Sequence, residues 1–185
     1  MGAANKLLAD LGGRPVLDHV LDLATGPPFT DAVVVTGCDR AAVAEIARLH
    51  GVRTVHNETW NGGMGTSLAC AAATIGPDAD ALAVLLGDVP LIRQETLVRL
   101  SHAWRQSPAP AIARPVWRGR PGHPVIFDHA FVPALRRLCD DDGARSVLHA
   151  HADCLVRVET DDQGVVLDAD TPDALAILRA RWNDL

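Results

Sequence analysis

A chain of 185 residues with 48% hydrophobic and 22% charged residues has the balance of one folded domain with a sizeable core. Its net charge of −6 speaks against a broad nucleic-acid surface and leaves room only for small basic pockets that take phosphate groups. No apolar run approaches the roughly 20 residues of a membrane span, and residues 1–10 lack the apolar core of a signal peptide.

In chain order, residues 1–13 read as a glycine-rich loop. Pro15 opens a helix to Thr25, with Val16, Leu17, Val20 and Leu21 on one face, and Gly26-Pro27-Pro28 stops it. Residues 31–36 form a buried strand. Asp39 caps a helix that runs to His50, with Gly51 at its end. A short strand at 52–56 leads into a loop over 57–66 with three glycines and Trp60, then a small-residue helix over 67–75. Residues 81–86 are six apolar residues in a row, the pattern of a strand buried on both faces of a parallel sheet. Further on come a helix at 95–106 and two strands at 111–117 and 125–127. Asp128 caps a helix to Leu138, and residues 140–145 lead into a further short helix. Strands follow at 154–160 and 165–167, and a last helix ends near Trp182. Helices alternating with short strands indicate α/β with a mostly parallel sheet. The alternation starts on a helix, although a covering helix in such a sheet normally follows a strand, and residues 1–13 hold none.

The apolar run 81–86 ends at Gly87-Asp88-Val89-Pro90. Ligands in open α/β sheets sit beyond the carboxyl ends of the strands, so Asp88 is delivered to that place. As bare residues the same four fit a plain turn equally well. Cys38, Cys70, Cys139 and Cys154 are scattered without C-x-x-C spacing, as in a reduced, cytoplasmic protein, and His149 with His151 fits a solvated pair better than a metal site. Asp170-Thr171-Pro172 fits helix capping with proline at the first helical position, and one carboxylate there can also serve a metal.

Several of these segments together resemble the molybdenum cofactor nucleotidyltransferases, most closely the cytidylyltransferase branch. They are Asn5-Lys6-Leu7-Leu8, Asn57 with Trp60 and Gly63-Met64-Gly65-Thr66-Ser67-Leu68, and Gly87-Asp88-Val89-Pro90. Arg120-Pro121-Gly122-His123-Pro124, Asp142-Gly143-Ala144-Arg145 and Asp168-Ala169-Asp170-Thr171-Pro172 complete the set. The Pro-Gly-His-Pro segment points to the cytidylyl rather than the guanylyl branch. The resemblance covers essentially the whole chain, 1–185, as a single nucleotidyltransferase domain. It implies a Rossmann-like, doubly wound, mostly parallel sheet with an antiparallel hairpin insertion, as in nucleotide-diphospho-sugar transferases. Family members begin with a strand and a Gly-rich loop that run into Met-Gly, where this sequence starts. The expectation is therefore a chain shortened at its N-terminus, with Met1 internal to a longer protein and the first central strand missing.

The resemblance implies transfer of CMP from CTP to molybdopterin cofactor with release of pyrophosphate. It makes Asp88 and Asp170 ligands of Mg2+, with Asp168 a nearby substitute, and makes Lys6 a contact of the triphosphate. Lys6, Asn57, Met64, Gly65, Ser67, Gly87 and Asp88 would bind the nucleotide, and Gly122, His123 and Arg145 the pterin-bearing substrate. As bare residues, Lys6 also fits a solvated lysine, His123 an exposed hairpin tip, and Arg145 a partner of residues 140–142. The resemblance implies small-molecule partners and a possible molybdoenzyme recipient of the product, with no nucleic acid and no membrane expected. The alternatives are another nucleotide (GTP or ATP) or acceptor on the same fold, or a non-catalytic protein that binds and hands on the cofactor.

Overall fold

In the computed structural model, which describes residues 5–139 and 141–183, the first described element is a 3-10 turn over Lys6–Leu8 instead of an open loop. Asn5 caps this turn, its side-chain oxygen accepting from the Leu7 amide at 3.0 Å. A small antiparallel hairpin follows, β1 (Asp10–Leu11) and β2 (Arg14–Pro15), turning on Gly12 and Gly13 in the left-handed region that glycine enters without a Cβ clash. Then come α1 (Val16–Thr25), β3 (Val33–Thr36), α2 (Arg40–Leu49) and β4 (Arg53–His56), close to the expected bounds. Asp39 stands at the start of α2, but it is left-handed (φ 53°) and makes no capping bond with its side chain.

β3 and β4 pair in parallel, and Leu17 and Leu21 of α1 pack with Val43 and Ala47 of α2 over Val34. A 3-10 turn at Trp60–Gly62 precedes α3 (Met64–Ala73), which starts earlier than the expected Ser67. The remaining elements are β5 (Ala81–Val84), α4 (Gln94–Gln106), β6 (Ile112–Trp117), β7 (Arg120–Pro121) and β8 (Val125–Asp128). After them come α5 (Val132–Leu135), α6 (Arg145–Ala150), β9 (Leu155–Glu159) and α7 (Pro172–Asn183). Residues 165–167, expected as a strand, lie instead in and after a 3-10 turn over Gln163–Val166. Asp162 sets that turn by accepting from the Gly164 amide at 2.9 Å, so a local side-chain bond prevails over the β-branched run.

The larger sheet places β8 between β5 and β6, antiparallel to both, and β9 parallel to β6 on its other side. Strands β5, β6 and β9 therefore run one way and β8 against them. One face is covered by α3, α5 and α6 through Leu68, Val132, Leu135 and Val147, and the other by Leu100 and Trp104 of α4. This is the α/β, mixed-sheet architecture of nucleotide-diphospho-sugar transferases. Among the described residues no strand bonds between β3 and β5. The run 81–86 is correspondingly a four-residue strand with only Leu82 buried, not the fully buried six-residue strand its composition suggests. Of the run 140–145, position 140 lies outside the described residues.

Candidate active site

Beyond β5 the chain turns at residues 86–89, the Val89 amide donating to the Leu86 carbonyl at 3.2 Å. Val89 is anchored in a cluster with Ile92, Leu97 and Val165, which leaves Asp88 pointing away from it and only 8% exposed. Gly87 packs closely: a Cβ there would lie 3.2 Å from Leu7 Cδ2, so the Lys6–Leu8 turn rests on the Asp88 loop. The last loop is tied to the same place by the buried Ala169, whose amide donates to the Asp88 backbone carbonyl at 3.0 Å.

The question of what Asp170-Thr171-Pro172 caps has a geometric answer. Thr171 caps α7, its hydroxyl oxygen accepting from the Ala174 amide at 3.0 Å, and Pro172 is the first helical residue. Asp168 accepts from the Asp170 amide at 3.2 Å and so bends the loop. Asp170 is left with its carboxylate free of the helix end, and it accepts a hydrogen bond from Lys6. Lys6 Nζ also lies 2.5 Å from Asp88 Oδ2. Two carboxylates from loops distant in sequence thus converge on one ammonium group.

Lys6 is the only lysine in the chain. Partial burial pulls its pKa down, but its hydrogen bonds to Asp170 and Asp88 and their charges outweigh that, and the group is held above the usual lysine value. Two carboxylates around one cation are also the donor set that a small hard divalent ion accepts, with phosphate oxygens and waters filling its other positions. The described residues contain no group of three or more His, Cys, Asp or Glu arranged to hold a metal, so this pair is the donor set available there. Beside Lys6 a cleft of about 380 Å3 opens between residues 5–7 and the end of β3 with Gly37, Cys38 and Asp39.

The 57–66 loop is built around Asn57, which is 4% exposed. Its Nδ2 donates to Thr66 Oγ1 at 2.8 Å and Ser67 Oγ at 3.1 Å, and its Oδ1 accepts from the Thr59 amide and hydroxyl, each at 3.0 Å. With both donors and its acceptor engaged, Asn57 shapes the loop from beneath, and Ser67 is one of the groups it holds. Gly63 is left-handed (φ 103°) and directly precedes α3, whose first turn carries Met64, 54% exposed, and the buried Gly65. A Cβ on Gly63 would lie 2.6 Å from Asp141 Cα, and one on Gly143 3.2 Å from Met64 Sδ. The loop before α6 therefore lies on the Gly63–Met64 turn. Arg145 is the first residue of α6, directly after that loop; it is exposed and faces Asp142 across 4.0 Å. It follows the loop that packs on the Gly63–Met64 turn.

Gly122 and His123 sit where β7 turns toward β8. A Cβ on Gly122 would lie 2.5 Å from the Val165 carbonyl oxygen, which also accepts from the His123 amide at 2.8 Å. His123 is half-buried instead of an exposed tip, and its Nδ1 is buried without a partner. Burial, then the positive charge of Arg114, depress its pKa, with the Val84 carbonyl and Asp88 pulling weakly the other way. Its imidazole is thus neutral near pH 7, between Asp88 and Arg114.

Asp162 was not among the expected residues, yet it holds this side of the site together. It is 4% exposed and accepts from the Arg93 amide at 2.8 Å, the Thr96 hydroxyl at 2.7 Å and the Gly164 amide. It therefore caps α4 from outside the helix. Asp162-Gln163-Gly164 is a recognisable Asx-turn sequence; its partner in α4 is visible only in three dimensions.

A sequence profile described as a MobA-like NTP transferase domain matches residues 1–174. The chain belongs to the MobA-like NTP transferase family. Rv0371c from Mycobacterium tuberculosis H37Rv, crystallised in complex with manganese, superposes on it with a TM-score of 0.83 at 28% identity, over 96% of this chain and 93% of that one. Nicotine blue oxidoreductase of Paenarthrobacter nicotinovorans is 26% identical over 182 residues, 92% of this chain and 86% of that protein. Bifunctional protein GlmU of Syntrophomonas wolfei is 35% identical over 106 residues. That match takes in 57% of this chain and only 23% of GlmU, so the chain corresponds to a small part of that relative. No described helix is long and apolar enough to cross a membrane.

Proposed function

We propose that this MobA-like domain, residues 1–185 taken as one unit acting in the cytoplasm, transfers CMP from CTP to molybdopterin cofactor and releases pyrophosphate. The observation that carries the reading is the convergence of the Asp88 and Asp170 carboxylates on the Lys6 ammonium. In this reading a phosphate oxygen of the acceptor attacks the α-phosphorus of CTP, the bond to the β-phosphate bridging oxygen breaks, and pyrophosphate leaves with that electron pair. Such a step depends mostly on positioning and charge neutralisation.

Asp88 and Asp170 would hold Mg2+, which supplies positive charge to the phosphate oxygens when bound. Lys6, released from the carboxylates, carries its charge to the triphosphate. The α3 N-terminus at Met64 and Gly65, with the loop that Asn57, Ser67 and Gly87 help shape, receives the nucleotide. Gly122 and His123 face the acceptor across Asp88, and Arg145 sits on the nucleotide side. The pairing of CTP with molybdopterin rests on the Arg120-Pro121-Gly122-His123-Pro124 resemblance. The product would pass to a molybdoenzyme.

The test is pyrophosphate release from purified protein with molybdopterin cofactor and CTP, GTP or ATP, with magnesium or manganese. Release with CTP alone supports the reading. Release with GTP or ATP instead would keep the transfer chemistry and replace the base. Absence of release with all three, alongside tight cofactor binding, would favour a binding protein.

A further inference from the structure

On the sheet face next to His123, strands β6 and β9 place two arginines side by side. Arg114 and Arg157 are register partners in this parallel pair, and like charges in that position repel. Neither has a carboxylate within ion-pairing distance among the described residues. Arg114 is half-buried; its Nη2 donates to the Gly122 carbonyl at 3.3 Å, while its Nε is buried without a partner. Arg157 is exposed and makes no side-chain hydrogen bond among the described residues. Both line a cavity of about 210 Å3 together with Gly119 and Pro121. Glu159 reaches the same cavity, which therefore keeps a net positive charge. Burial and then the neighbouring Arg157 charge push Arg114 below the usual arginine value, so the pair is an uncompensated cost in the free protein.

We infer that Arg114 and Arg157 form an anion subsite that takes the phosphomonoester group of the acceptor substrate. The inference rests on the nucleotidyl-transfer reading for the acceptor's identity, and on geometry alone for the anion. Guanidinium groups match phosphate oxygens in two-pronged fashion, and two neighbouring forks suit a doubly charged phosphate. The cavity is too small for a nucleotide but has room for one phosphate and the start of its ester. Its position is also apt. Arg114 holds Gly122, and the next residue, His123, is close enough to Asp88 to feel its charge, so the subsite adjoins the loop expected to face the acceptor.

The test titrates the intact protein, without nucleotide or metal, with inorganic phosphate and separately with phenyl phosphate, followed by calorimetry. Saturable binding of both is expected, weakened about tenfold or more in Arg114→Gln and in Arg157→Gln. The exposed Arg105→Gln protein should bind like wild type, and Glu159→Gln more tightly. Arg157 has no side-chain partner to lose, so its variant decides the matter if Arg114→Gln folds poorly. Unchanged binding in Arg157→Gln, or loss of binding in Lys6→Met with Arg157→Gln intact, would overturn the site. Binding of inorganic phosphate but not of the ester would overturn the acceptor as its source. A protein that binds both ligands through Arg157 yet releases no pyrophosphate from any nucleotide would retain this anion site and refute the transferase reading alone. In an active enzyme, Arg157→Gln should raise the acceptor KM about tenfold and leave the CTP KM unchanged.

Discussion

Asp162 offers the sharpest test of how the site is held. Replacing it by alanine strips the acceptor from the Arg93 amide, the Thr96 hydroxyl and the Gly164 amide. Thr96 and Gly164 are buried, and a buried group left unpaired costs about 1–3 kcal/mol. The partly exposed Arg93 amide can turn to water, and removing a buried carboxylate returns some of its desolvation cost. The expected net loss is about 2–4 kcal/mol, a large share of the roughly 5–15 kcal/mol that holds a domain folded. Asp162→Asn keeps one acceptor oxygen and should lose about half as much. Urea denaturation followed by circular dichroism reads this directly: the Asp162→Ala midpoint should fall by about 1–2 M with the slope unchanged. A loss below about 1 kcal/mol in Asp162→Ala would mean that the three donors find other partners, and the reasoning would fail.

Asp88→Asn should reduce nucleotidyl transfer by at least about 100-fold while the fold persists, and Asp170→Asn nearly as much; Thr171 still caps α7 in Asp170→Asn, so the stability each variant loses should be no more than its share of the Lys6 contact. His123→Ala should raise the acceptor KM more than the CTP KM, and equal rises would place the imidazole elsewhere. Because His123 has a depressed pKa, the unfolded chain binds a proton that the folded chain does not, so stability falls as pH drops below about 6.5. His123→Gln should flatten that fall in denaturation midpoints measured from pH 8 to pH 5. Lys6 has the opposite sign: its raised pKa gives stability below about pH 10.5 that is lost as pH climbs through the folded value. With no tyrosine in the chain to mask the effect, Lys6→Met should show a shallower alkaline loss in midpoints from pH 9 to pH 12.

The parts of the fold that the sequence displays are those governed by local periodicity and punctuation. Proline at the start of α1 and Thr171-Pro172 before α7 act within a few residues of where they stand; Asp128 does too, but it caps a short 3-10 turn and only Val132–Leu135 is helical, not the run to Leu138. Errors arise where a distant group decides. The run 165–167 has strand composition, but Asp162 winds it into a 3-10 turn, and Gly164 lies under the Leu91 carbonyl where no side chain would fit. The run 81–86 has the composition of a central strand, yet β5 pairs only with β8 among the described residues, and its side chains are mostly half-buried. Asn57 illustrates a subtler limit. Its spacing from Ser67 marks it as part of the loop, but nothing in that spacing shows that every hydrogen-bonding group of its side chain is engaged inside it.

The segment 160–170 connects these observations. It caps α4 through Asp162, receives the His123 amide at Val165, meets the Asp88 carbonyl through Ala169 and ends by presenting Asp170 to Lys6. A single strap thus fixes the His123 loop, the Asp88 turn and the second carboxylate relative to one another. Backbone bonds, the buried Asp162 carboxylate and the apolar packing of Val165 and Ala169 hold it, and Gly122 and Gly164 are the positions where a Cβ would push it away. Side-chain chemistry at Lys6, Asp88 and Asp170 can therefore differ among related chains without moving the frame. A change at Asp162, Gly122 or Gly164 moves the His123 loop and Asp170 together. In the transferase reading, such a change should weaken acceptor use and transfer at once, whereas a change at Arg157 weakens acceptor use alone.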